Sequence, residues 1–384
     1  MWKRNQSMMA EMSKRDLIHR LLYVNPTVWL RGNFIRTYKA FAVSLGIRRH
    51  FFASRVSPKI TVYQPMNFIP LKRKFPILKK VEDQIMLKVI RHLNRGERYI
   101  LFMNCPNISS HYVLDRLLES ASLSIFDFSD DFAELGYDEQ TKARFRQNAT
   151  KYCQVAKLVL TVNEHIKDKY SYLNSNIQVM RNATNYENFN RQTYKSIHML
   201  ERFRERQVPI IGYSGTANMG RIDKGILDFL LEQRSNWQFV FVGPAQSHFV
   251  ERYANCQNVH ILPSVNYQDL PCYLQYFDVA IVPFQKNEHT KGNDLLKLHD
   301  YLAMGKPVVS TDIGGANDLE GAIRIAQSPP EFLNSIEELL ANNCSEEIAK
   351  RKCVALENSW HTRVSELETL IKINLELEKG SVNR

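Results

Sequence analysis

The segment LLKLHDYLAMGKPVVST, residues 295–311, constrains the fold of this chain more than any other part of the sequence. Its leucines recur at intervals of three and four residues, which predicts a short amphipathic helix. Gly305 predicts the end of that helix, and the β-branched pair that follows Pro307 predicts a buried strand. A helix, a glycine stop and a buried strand in this order indicate a parallel sheet of the α/β class.

Charged and polar residues surround the start of this predicted helix. The helix follows the polar loop TKGND, so its first backbone N–H groups and the positive end of its dipole suit a phosphate. Lys297 and Asp300 are three residues apart and share one helix face, from which they could contact a diphosphate and a sugar hydroxyl. Asn293 and Asp294 have two candidate roles, which are capping the helix and recognising a sugar.

The composition is that of a globular protein with an excess of positive charge. The 384 residues are 44% hydrophobic, which is enough for two domains that each have a core. The formal net charge of +11 suits an anionic partner, whether nucleic acid, a phosphorylated ligand or an anionic membrane surface. No apolar run in the sequence reaches the length of a bilayer span, and the first residues lack the apolar core of a secretory signal. The six cysteines are scattered without a CxxC pair, and we expect reduced cytosolic thiols.

Predicted strands and helices alternate along the chain in two series. The first half contains five predicted strands, at LIHRLLYVNP, RYILFMNCP, SLSIFDF, AKLVLTVN and NIQVMRNA. Residues 190–207 are rich in Arg, Lys and Glu and predict a linker that begins with helical character. The alternation then resumes with VPIIGYSG and continues through PEFLNSIEELL. We therefore expect two Rossmann-like, doubly wound domains, with a ligand cleft between the carboxyl ends of their sheets.

Seven stretches of the sequence, taken in order, resemble the motifs of one enzyme family. That family is the retaining glycosyltransferases of the GT-B fold and family-4 type, the glycosyl transferases group 1. The resemblance covers most of the chain, and its strength lies in the ordered set. The stretches are SIFDFSDDF, KLVLTVNEHIKDKY, IQVMRNATNYENF, IGYSGTANMGRIDKGILDFL, NVHILPSVNYQDLPCYLQYFDVAIVPF, LLKLHDYLAMGKPVVST and ENSWHTRVSELE.

The resemblance implies an α/β chain with the GT-B fold, in which two Rossmann-like doubly wound domains face a central cleft. Residues 1–195 would form the N-terminal acceptor-binding domain. Residues 196–355 would form the C-terminal domain that binds a nucleotide-sugar. Residues 356–384 would form a C-terminal helix that crosses back to the N-terminal domain.

The resemblance also implies a reaction. The chain would move a sugar from a UDP- or GDP-linked donor to a hydroxyl of a glycan or lipid-linked acceptor, with retention, in cell-surface polysaccharide assembly. The family typically needs no metal, and we expect no cofactor, since the nucleotide-sugar is itself the donor substrate. The alternative is a catalytically inactive protein of the GT-B fold that serves as a binding or partner subunit.

On the donor side, the resemblance assigns roles to residues of two motifs. Lys224, at the start of the family's "K-G" helix, would neutralise the donor diphosphate as the sugar bond breaks, and Arg221 would take the place of a basic residue absent from the preceding turn. Gly215 and Thr216, in that turn, would let the backbone approach the phosphates. Asp300 would hold the ribose hydroxyls of the donor. The other residues that would bind the donor are Asn293, Asp294 and Lys297.

On the acceptor side, the resemblance points to His111 as a residue that faces the transferred sugar. One aspartate of the cluster Asp127, Asp130 and Asp131 would orient the acceptor hydroxyl, and we assign that role to Asp127. Carboxylates in such a cluster also suit Mg²⁺ or Mn²⁺. Because no matching D-x-D motif occurs on the donor side, we expect no metal.

Three departures from the family's motifs favour the inactive alternative or leave a role unfilled. The first of the family's two acidic residues falls on Gly292, and the second is Asp300. The family's Asn-Gly pair is Asn182-Ala183. The opening residues MWKRNQSMMAEM resemble the loop and helix that follow the family's first strand, and we expect that strand to be missing or replaced.

Basic residues mixed with Phe and Tyr recur in the N-terminal half, in KRNQ, LRGNFIRTYK, IRRHFFASR and PLKRKFPILKK. The mixture suits an anionic membrane face, and it also suits nucleic acid. Enzymes of the GT-B fold that act on lipid-linked acceptors often carry such patches. We therefore expect a membrane surface and no nucleic acid as the partner, and a cytoplasmic protein that is peripheral on the inner face of the membrane.

Overall fold

The computed structural model describes residues 4–26, 28–29, 53–67, 76–104, 110–134, 138–319 and 321–382. Within these ranges the strands form two larger parallel sheets and two small ones. The predicted alternation of strands and helices is therefore present in both halves of the chain.

The N-terminal half holds the two small sheets and a four-stranded sheet. The small sheets are built from β1 (Leu21–Val24), β2 (Val28–Trp29), β3 (Ala53–Arg55), β4 (Ile60–Tyr63) and β5 (Met66–Asn67). Strand β4 pairs in parallel with β1 and antiparallel with β3, and β2 pairs in parallel with β5. The four-stranded sheet has the spatial order β6 (Ile100–Met103), β7 (Leu123–Phe128), β8 (Leu158–Thr161) and β9 (Ile177–Val179), with every pair parallel. All six residues of β7 are buried, as expected of a parallel sheet that is covered on both faces.

Helices connect and cover these strands. They are α1 (Arg4–Met12), α2 (Pro76–Asn94), α3 (His111–Leu118), α4 (Glu139–Val155), α5 (Glu164–Tyr170), α6 (Tyr186–Phe189) and α7 (His198–Glu205). The side chains of Ser110, Asp138 and Asn163 start α3, α4 and α5 by accepting a hydrogen bond from a backbone N–H of the first turn. In the linker predicted at residues 190–207, helix α7 lies near the end. The expectation that this linker begins with helical character is therefore wrong.

The C-terminal half contains a six-stranded sheet in which all neighbours are parallel. Its strands are β10 (Ile210–Ser214), β11 (Gln238–Val242), β12 (Val259–Leu262), β13 (Val279–Val282), β14 (Val308–Thr311) and β15 (Arg324–Ala326). The spatial order is β12-β11-β10-β13-β14-β15. The chain therefore reverses its direction of travel across the sheet between β10 and β13, which is where doubly wound folds open a crevice for a ligand.

Nine further described helices follow in the C-terminal half. They are α8 (Lys224–Gln233), α9 (Ser247–Tyr253), α10 (Pro271–Leu274), α11 (Glu288–Lys291), α12 (Leu296–Ala303), α13 (Gly314–Asn317), α14 (Pro329–Ala341), α15 (Ser345–Glu357) and α16 (Trp360–Val382). Helix α16 packs against α1 and β7. Its buried residues Trp360, Val364 and Leu367 join Met8 and Leu123 in one apolar cluster, so this last helix completes the core beneath the N-terminal sheet.

The opening segment of the sequence folds as its pattern predicts, with one exception. Helix α12 is followed by Gly305 in the left-handed region, at φ 69°, and then by β14. The residue at the N-cap is Leu295, and no side chain caps the helix. The capping role considered for Asn293 and Asp294 is therefore wrong, and the carboxylate of Asp294 is bonded to other residues.

None of the helices in the described ranges is long and apolar enough to cross a membrane. The basic patch LRGNFIRTYK lies outside the described residues, as do the first six residues of IRRHFFASR and of PLKRKFPILKK. Contact between these patches and a membrane surface therefore stays a prediction.

Candidate functional site

A cavity of about 2050 Å³ lies between the two halves of the chain. On the C-terminal side it is lined by residues 214–216 at the end of β10 and by Phe284 after β13, the two strands at which the strand order reverses. On the N-terminal side it is lined by Asn104 and Asp130, which follow β6 and β7. Since ligands of open parallel sheets bind outside the carboxyl ends of the strands, this cavity is the candidate site.

Lys297 enters the cavity from the first turn of α12. Its ammonium nitrogen lies 3.9 Å from the centre of the Tyr213 ring and 4.9 Å from that of Phe284. Burial lowers the pKa of Lys297 well below its usual range, and the nearby charge of Arg221 lowers it further. The two aromatic rings partly offset that cost because a cation is attracted to a ring face. Lys297 is thus a cation without a carboxylate partner among the described residues.

Arg221 is the second cation of the cavity wall. Its backbone is fixed, since its N–H donates to the carbonyl of Asn218 at 2.9 Å and its carbonyl accepts from the N–H of Gln285 at 2.7 Å. Its guanidinium makes no hydrogen bond or ion pair with the part of the chain that the structure describes. Two uncompensated cations in one cavity produce a field that favours an anionic ligand.

A glycine turn completes this side of the cavity. Gly215 has φ 122°, a backbone conformation that residues with a Cβ rarely adopt. The hydroxyl of Tyr213 donates a 2.9 Å hydrogen bond to the carbonyl of Thr216 and so fixes the turn. Gly215 and Thr216 both line the cavity, as the sequence predicts. Their backbone lines the same cavity as the two cations, where a phosphate could approach it closely.

Asp300 also lines the cavity, one helical turn beyond Lys297. Its Oδ1 accepts hydrogen bonds from Thr184 Oγ1 at 2.7 Å and from Tyr267 Oη at 2.8 Å. Burial raises the pKa of Asp300 to about 7, although these two bonds oppose the change. Its second oxygen has no partner in the described residues and remains for a ligand.

Asp294 holds the two halves of the chain together. Its carboxylate accepts from the backbone N–H of Asn182, and it lies 3.1 Å from Nε2 of His299. The side-chain amide of Asn182 donates to the backbone carbonyl of Asp294. Burial would raise the pKa of Asp294, but the charge and hydrogen bond of His299 lower it overall. Although Asp294 lines the cavity, its hydrogen bonds join α12 to the segment after β9.

Asp127 has a partner that the sequence does not suggest. Arg4 donates to both of its oxygens, at 2.9 and 3.0 Å, and also to the carbonyl of Arg181. The side chains of Arg4 and Asp127 are 4% and 0% exposed. Asp127 is not among the described residues that line the cavity. This geometry anchors α1 to the end of β7, and the role of Asp127 on an acceptor hydroxyl stays a prediction.

Two other predicted residues lie outside the described lining of the cavity. His111 is the first residue of α3, and its Nδ1 lies 2.8 Å from the hydroxyl of Tyr152. Burial and the charge of Lys151 lower its pKa. Lys224 is exposed at the first position of α8. Their proposed roles on the transferred sugar and the diphosphate stay predictions.

Gly292 is closely covered by the N-terminal half of the chain. A Cβ placed at Gly292 would lie 2.8 Å from Cβ of Asp131 and 3.6 Å from Cδ1 of Ile166. Such a contact is too short for carbon atoms, so a side chain at this position would push the two halves apart. An acidic side chain at position 292 therefore does not fit this arrangement of the two halves.

Asp130 and His289 form a buried contact. Oδ1 of Asp130 and Nδ1 of His289 are 3.8 Å apart, and both atoms are buried without a hydrogen-bond partner in the described residues. Burial raises the pKa of Asp130 to about 7 and lowers that of His289 to about 4. Within the described ranges, no three His, Cys, Asp or Glu residues lie close enough together to hold a metal ion.

The sequence does not single out the aromatic cradle of Lys297. Tyr213 and Phe284 lie in strands that read as ordinary buried runs, VPIIGYSG and VAIVPF. The available signal is their position, because each comes at or just after the carboxyl end of a strand beside the reversal point. Residues there line the ligand crevice of a doubly wound fold.

Residues 219–342 match the model of the family described as glycosyl transferases group 1. The chain is also 22% identical, over 287 residues, to the putative teichuronic acid biosynthesis glycosyltransferase TuaH of Bacillus subtilis (strain 168). That alignment covers 69% of this chain and 70% of the relative.

Solved structures resemble the chain over nearly its whole length. Anabaena Alr3699/HepE, in complex with UDP and glucose, superposes with a TM-score of 0.62 at 13% identity, over 95% of each chain. A glycosyltransferase from Rickettsia africae ESF-5 superposes with a TM-score of 0.65 at 15% identity, over 97% of this chain and 95% of the other. The predicted fold class, GT-B, is confirmed.

Proposed function

Because the chain belongs to the glycosyl transferases group 1 and is a glycosyltransferase, we propose that it uses a UDP-linked sugar and transfers the sugar to a hydroxyl with retention. The proposed acceptor is a growing glycan or a lipid-linked sugar in the assembly of a cell-surface polysaccharide. TuaH, the relative with a putative role in teichuronic acid biosynthesis, supports this acceptor class.

The observation that carries the proposal is the pair of uncompensated cations beside the glycine turn. Arg221 and Lys297 line the same cavity as Gly215, and neither has a carboxylate partner among the described residues. A diphosphate would supply the missing negative charge. Each hydrogen bond to a charged group contributes about 1.5–3 kcal/mol, enough to fix a diphosphate in place.

The same cations would assist the chemical step. When the bond between the sugar and the diphosphate breaks, negative charge accumulates on the leaving phosphate oxygen. Arg221 and Lys297, which line the cavity, would stabilise that charge. Confinement of donor and acceptor between the two halves of the chain would add the benefit of orientation.

The other walls suggest where the remaining parts of the substrates bind. Asp300 has one free oxygen at the edge of the cavity, which suits the ribose hydroxyls of the nucleotide. Among the structural neighbours, HepE is in complex with UDP and glucose, which favours UDP over GDP as the nucleotide here. The acceptor would enter from the N-terminal side, near Asn104. A site of action at the inner face of a membrane is proposed from the net charge of +11.

The test is a thermal-shift titration with UDP and GDP, followed by a UDP-release assay over a panel of UDP-sugars. Binding to the folded chain should raise Tm with UDP concentration. Lys291→Met is a suitable control, because Lys291 is an exposed lysine near the site that does not line the cavity. Absence of a Tm shift at millimolar UDP in the wild-type chain and in this control would contradict the proposal.

A further inference from the structure

Two strands of the N-terminal half border the cavity with an unpaired edge. Among the described residues, β1 is an edge strand of its small sheet, and β6 is an edge strand of the four-stranded sheet. All residues of both strands line the cavity. We call the part of the cavity between β1 and β6 the slot. The slot is thus bounded on two sides by strand backbone.

Strands β1 and β6 lie in one layer and start at the same edge of the slot. Leu22, Val24 and Leu101 pack in a single apolar cluster with residues of α2 and α3. The guanidinium of Arg20, just before β1, lies 3.2 Å from the carboxylate of Glu97, three residues before β6. Two strands that flank a third are about 10 Å apart, a distance that these two long side chains can bridge. The contacts therefore fit a slot that is one strand wide.

The backbone of β6 directs hydrogen-bonding groups into the slot. In a parallel ladder, the N–H and C=O groups of successive residues point to alternate sides of the strand. The carbonyl of Tyr99 accepts a 2.9 Å hydrogen bond from the N–H of Ser122, on the side of β7. The N–H and C=O groups of Ile100 and Phe102 therefore point away from β7 and into the slot.

The backbone of β1 does the same from the other side. The N–H of Leu21 donates to the carbonyl of Lys59 at 2.7 Å, on the side of β4. By the same alternation, Leu22 and Val24 direct their N–H and C=O groups into the slot. Neither these groups nor those of β6 that face the slot have a hydrogen-bond partner among the described residues. An unsatisfied group shielded from water costs about 1–3 kcal/mol, and a strand in the slot would supply partners on both sides.

The other two walls of the slot are apolar. Helices α1 and α16 form one wall, and α2 and α3 form the opposite one. The first three residues of β6 are apolar but only partly buried, whereas all of β7 is buried. A strand whose side chains alternate between two apolar walls would itself be apolar at nearly every position. The residues of these walls include Met9, Met12, Ile371, Met86, Ile90 and Val113.

The position of Arg4 indicates where such a strand would lead. Arg4 begins α1 and donates to Asp127, the fifth of the six residues of β7, so α1 starts near the carboxyl end of the sheet. A strand parallel to β6 would end at this edge and could continue directly into α1. Residues 1–3 span about 10 Å at most, whereas the four residues of β6 alone span about 13 Å. Such a strand would therefore need chain ahead of residue 1.

We propose that the slot accepts an apolar segment of about five residues as a parallel strand between β1 and β6, and that this segment joins the amino end of α1 from ahead of residue 1. Its backbone would bond to both strands and so join two sheets into one. Its side chains would fill the space between the helical walls. The proposal does not depend on the proposed donor site.

The test compares three forms of the full chain. The first is unextended, and the second carries about five Val and Ile residues and a Gly-Asn turn ahead of residue 1. The third carries the same extension with Ser in place of each Val and Ile. Size-exclusion chromatography establishes that the three forms have the same oligomeric state. Tm and the hydrogen exchange of peptides from β1, β6 and β7 are then measured.

We expect the apolar extension to raise Tm by about 5 °C or more over the Ser extension, and to slow exchange in β1 and β6 at least about tenfold. Equal Tm and equal exchange in the two extended forms would overturn the proposal. Exchange in β1 and β6 of the unextended chain that is as slow as in β7 would also overturn it, because another part of the chain would then occupy the slot.

The variant Phe102→Pro separates strand formation in the slot from a general effect of the extension. Proline removes the N–H that faces the slot and spares the bonds between β6 and β7, since an edge strand tolerates proline on its free side. Circular dichroism establishes that the variant is folded. In this background the two extended forms should have the same Tm. An apolar extension that still raised Tm as much as in the wild-type chain would act outside the slot and contradict the proposal.

Discussion

The ammonium of Lys297 lies 3.9 Å from the centre of the Tyr213 ring, and it makes no ion pair with a carboxylate of the described residues. A buried cation of this kind is costly for a protein that has no use for it. The rings of Tyr213 and Phe284 hold the side chain in place, while its charge stays available. The structure thus maintains a buried, unpaired ammonium at the expense of stability.

Lys297→Met should therefore raise the free energy of unfolding at pH 7. The pKa of Lys297 is lower in the folded chain than in the unfolded chain, where it is about 10.4. Below pH 10.4 the unfolded chain therefore binds a proton that the folded chain binds less readily. The free energy of unfolding of the wild-type chain consequently decreases as pH falls from about 10.4. The gain from the substitution should be small at pH 10 and larger at pH 7. Urea unfolding of the variant and the wild type at both pH values measures this gain in stability. A variant less stable than the wild type at pH 7 would show that the buried ammonium does not destabilise the chain.

Asp300→Asn should also stabilise the chain, in a different pH range. The substitution keeps an oxygen that can accept from Thr184 and Tyr267. Because burial raises the pKa of Asp300 from 3.8 to about 7, the wild-type chain loses stability as pH rises between these values. The advantage of Asn over Asp should be nearly absent near pH 4 and reach about 4 kcal/mol above pH 8. Unfolding free energies that differ equally at both pH values would rule out this titration.

Gly292→Ala tests the steric reason for the missing acidic residue. The new Cβ would meet Cβ of Asp131 at 2.8 Å, so we expect a loss of about 1–3 kcal/mol of unfolding free energy. The matched control is Gly225→Ala at the exposed start of α8, where the nearest atom to a new Cβ is 3.2 Å away. Equal stabilities of the two variants in urea would show that position 292 has room for a side chain.

Asp127→Asn tests the buried pair that anchors α1. Removal of one charge leaves the guanidinium of Arg4 buried without its counter-ion, which should cost about 3–5 kcal/mol. Glu119→Gln, in an exposed pair with Arg116, should have no measurable effect. Denaturant midpoints provide the comparison. Similar midpoints for the two variants would mean that the Arg4–Asp127 pair is not important for stability.

Local sequence patterns predicted the parts of the fold that depend on neighbouring residues. The spacing of leucines before Gly305 and the β-branched pair after Pro307 were enough for α12, its end and β14, because helix termini and buried strands are set within a few residues. The same segment placed Lys297 and Asp300 on one helix face, and both line the cavity.

Contacts between distant residues could not be predicted in this way. Arg4 and Asp127 are 123 positions apart, and neither carries a local signal for the other. Whether Lys224 or Arg221 lies nearer to a ligand in the cavity depends on the conformation of the turn after β10. The hydrogen bond between the Arg221 carbonyl and the backbone N–H of Gln285 fixes it in the structure, and that bond links the loops that follow β10 and β13.

The most direct test of the donor site is isothermal titration of UDP into the wild-type chain and into the double variant Arg221→Met/Lys297→Met. The wild-type chain should bind UDP. The double variant, still folded by circular dichroism, should bind UDP at least a hundredfold more weakly, since two charged contacts of about 1.5–3 kcal/mol each are lost. Equal affinity of the two proteins for UDP would contradict the assignment of Arg221 and Lys297 to the diphosphate.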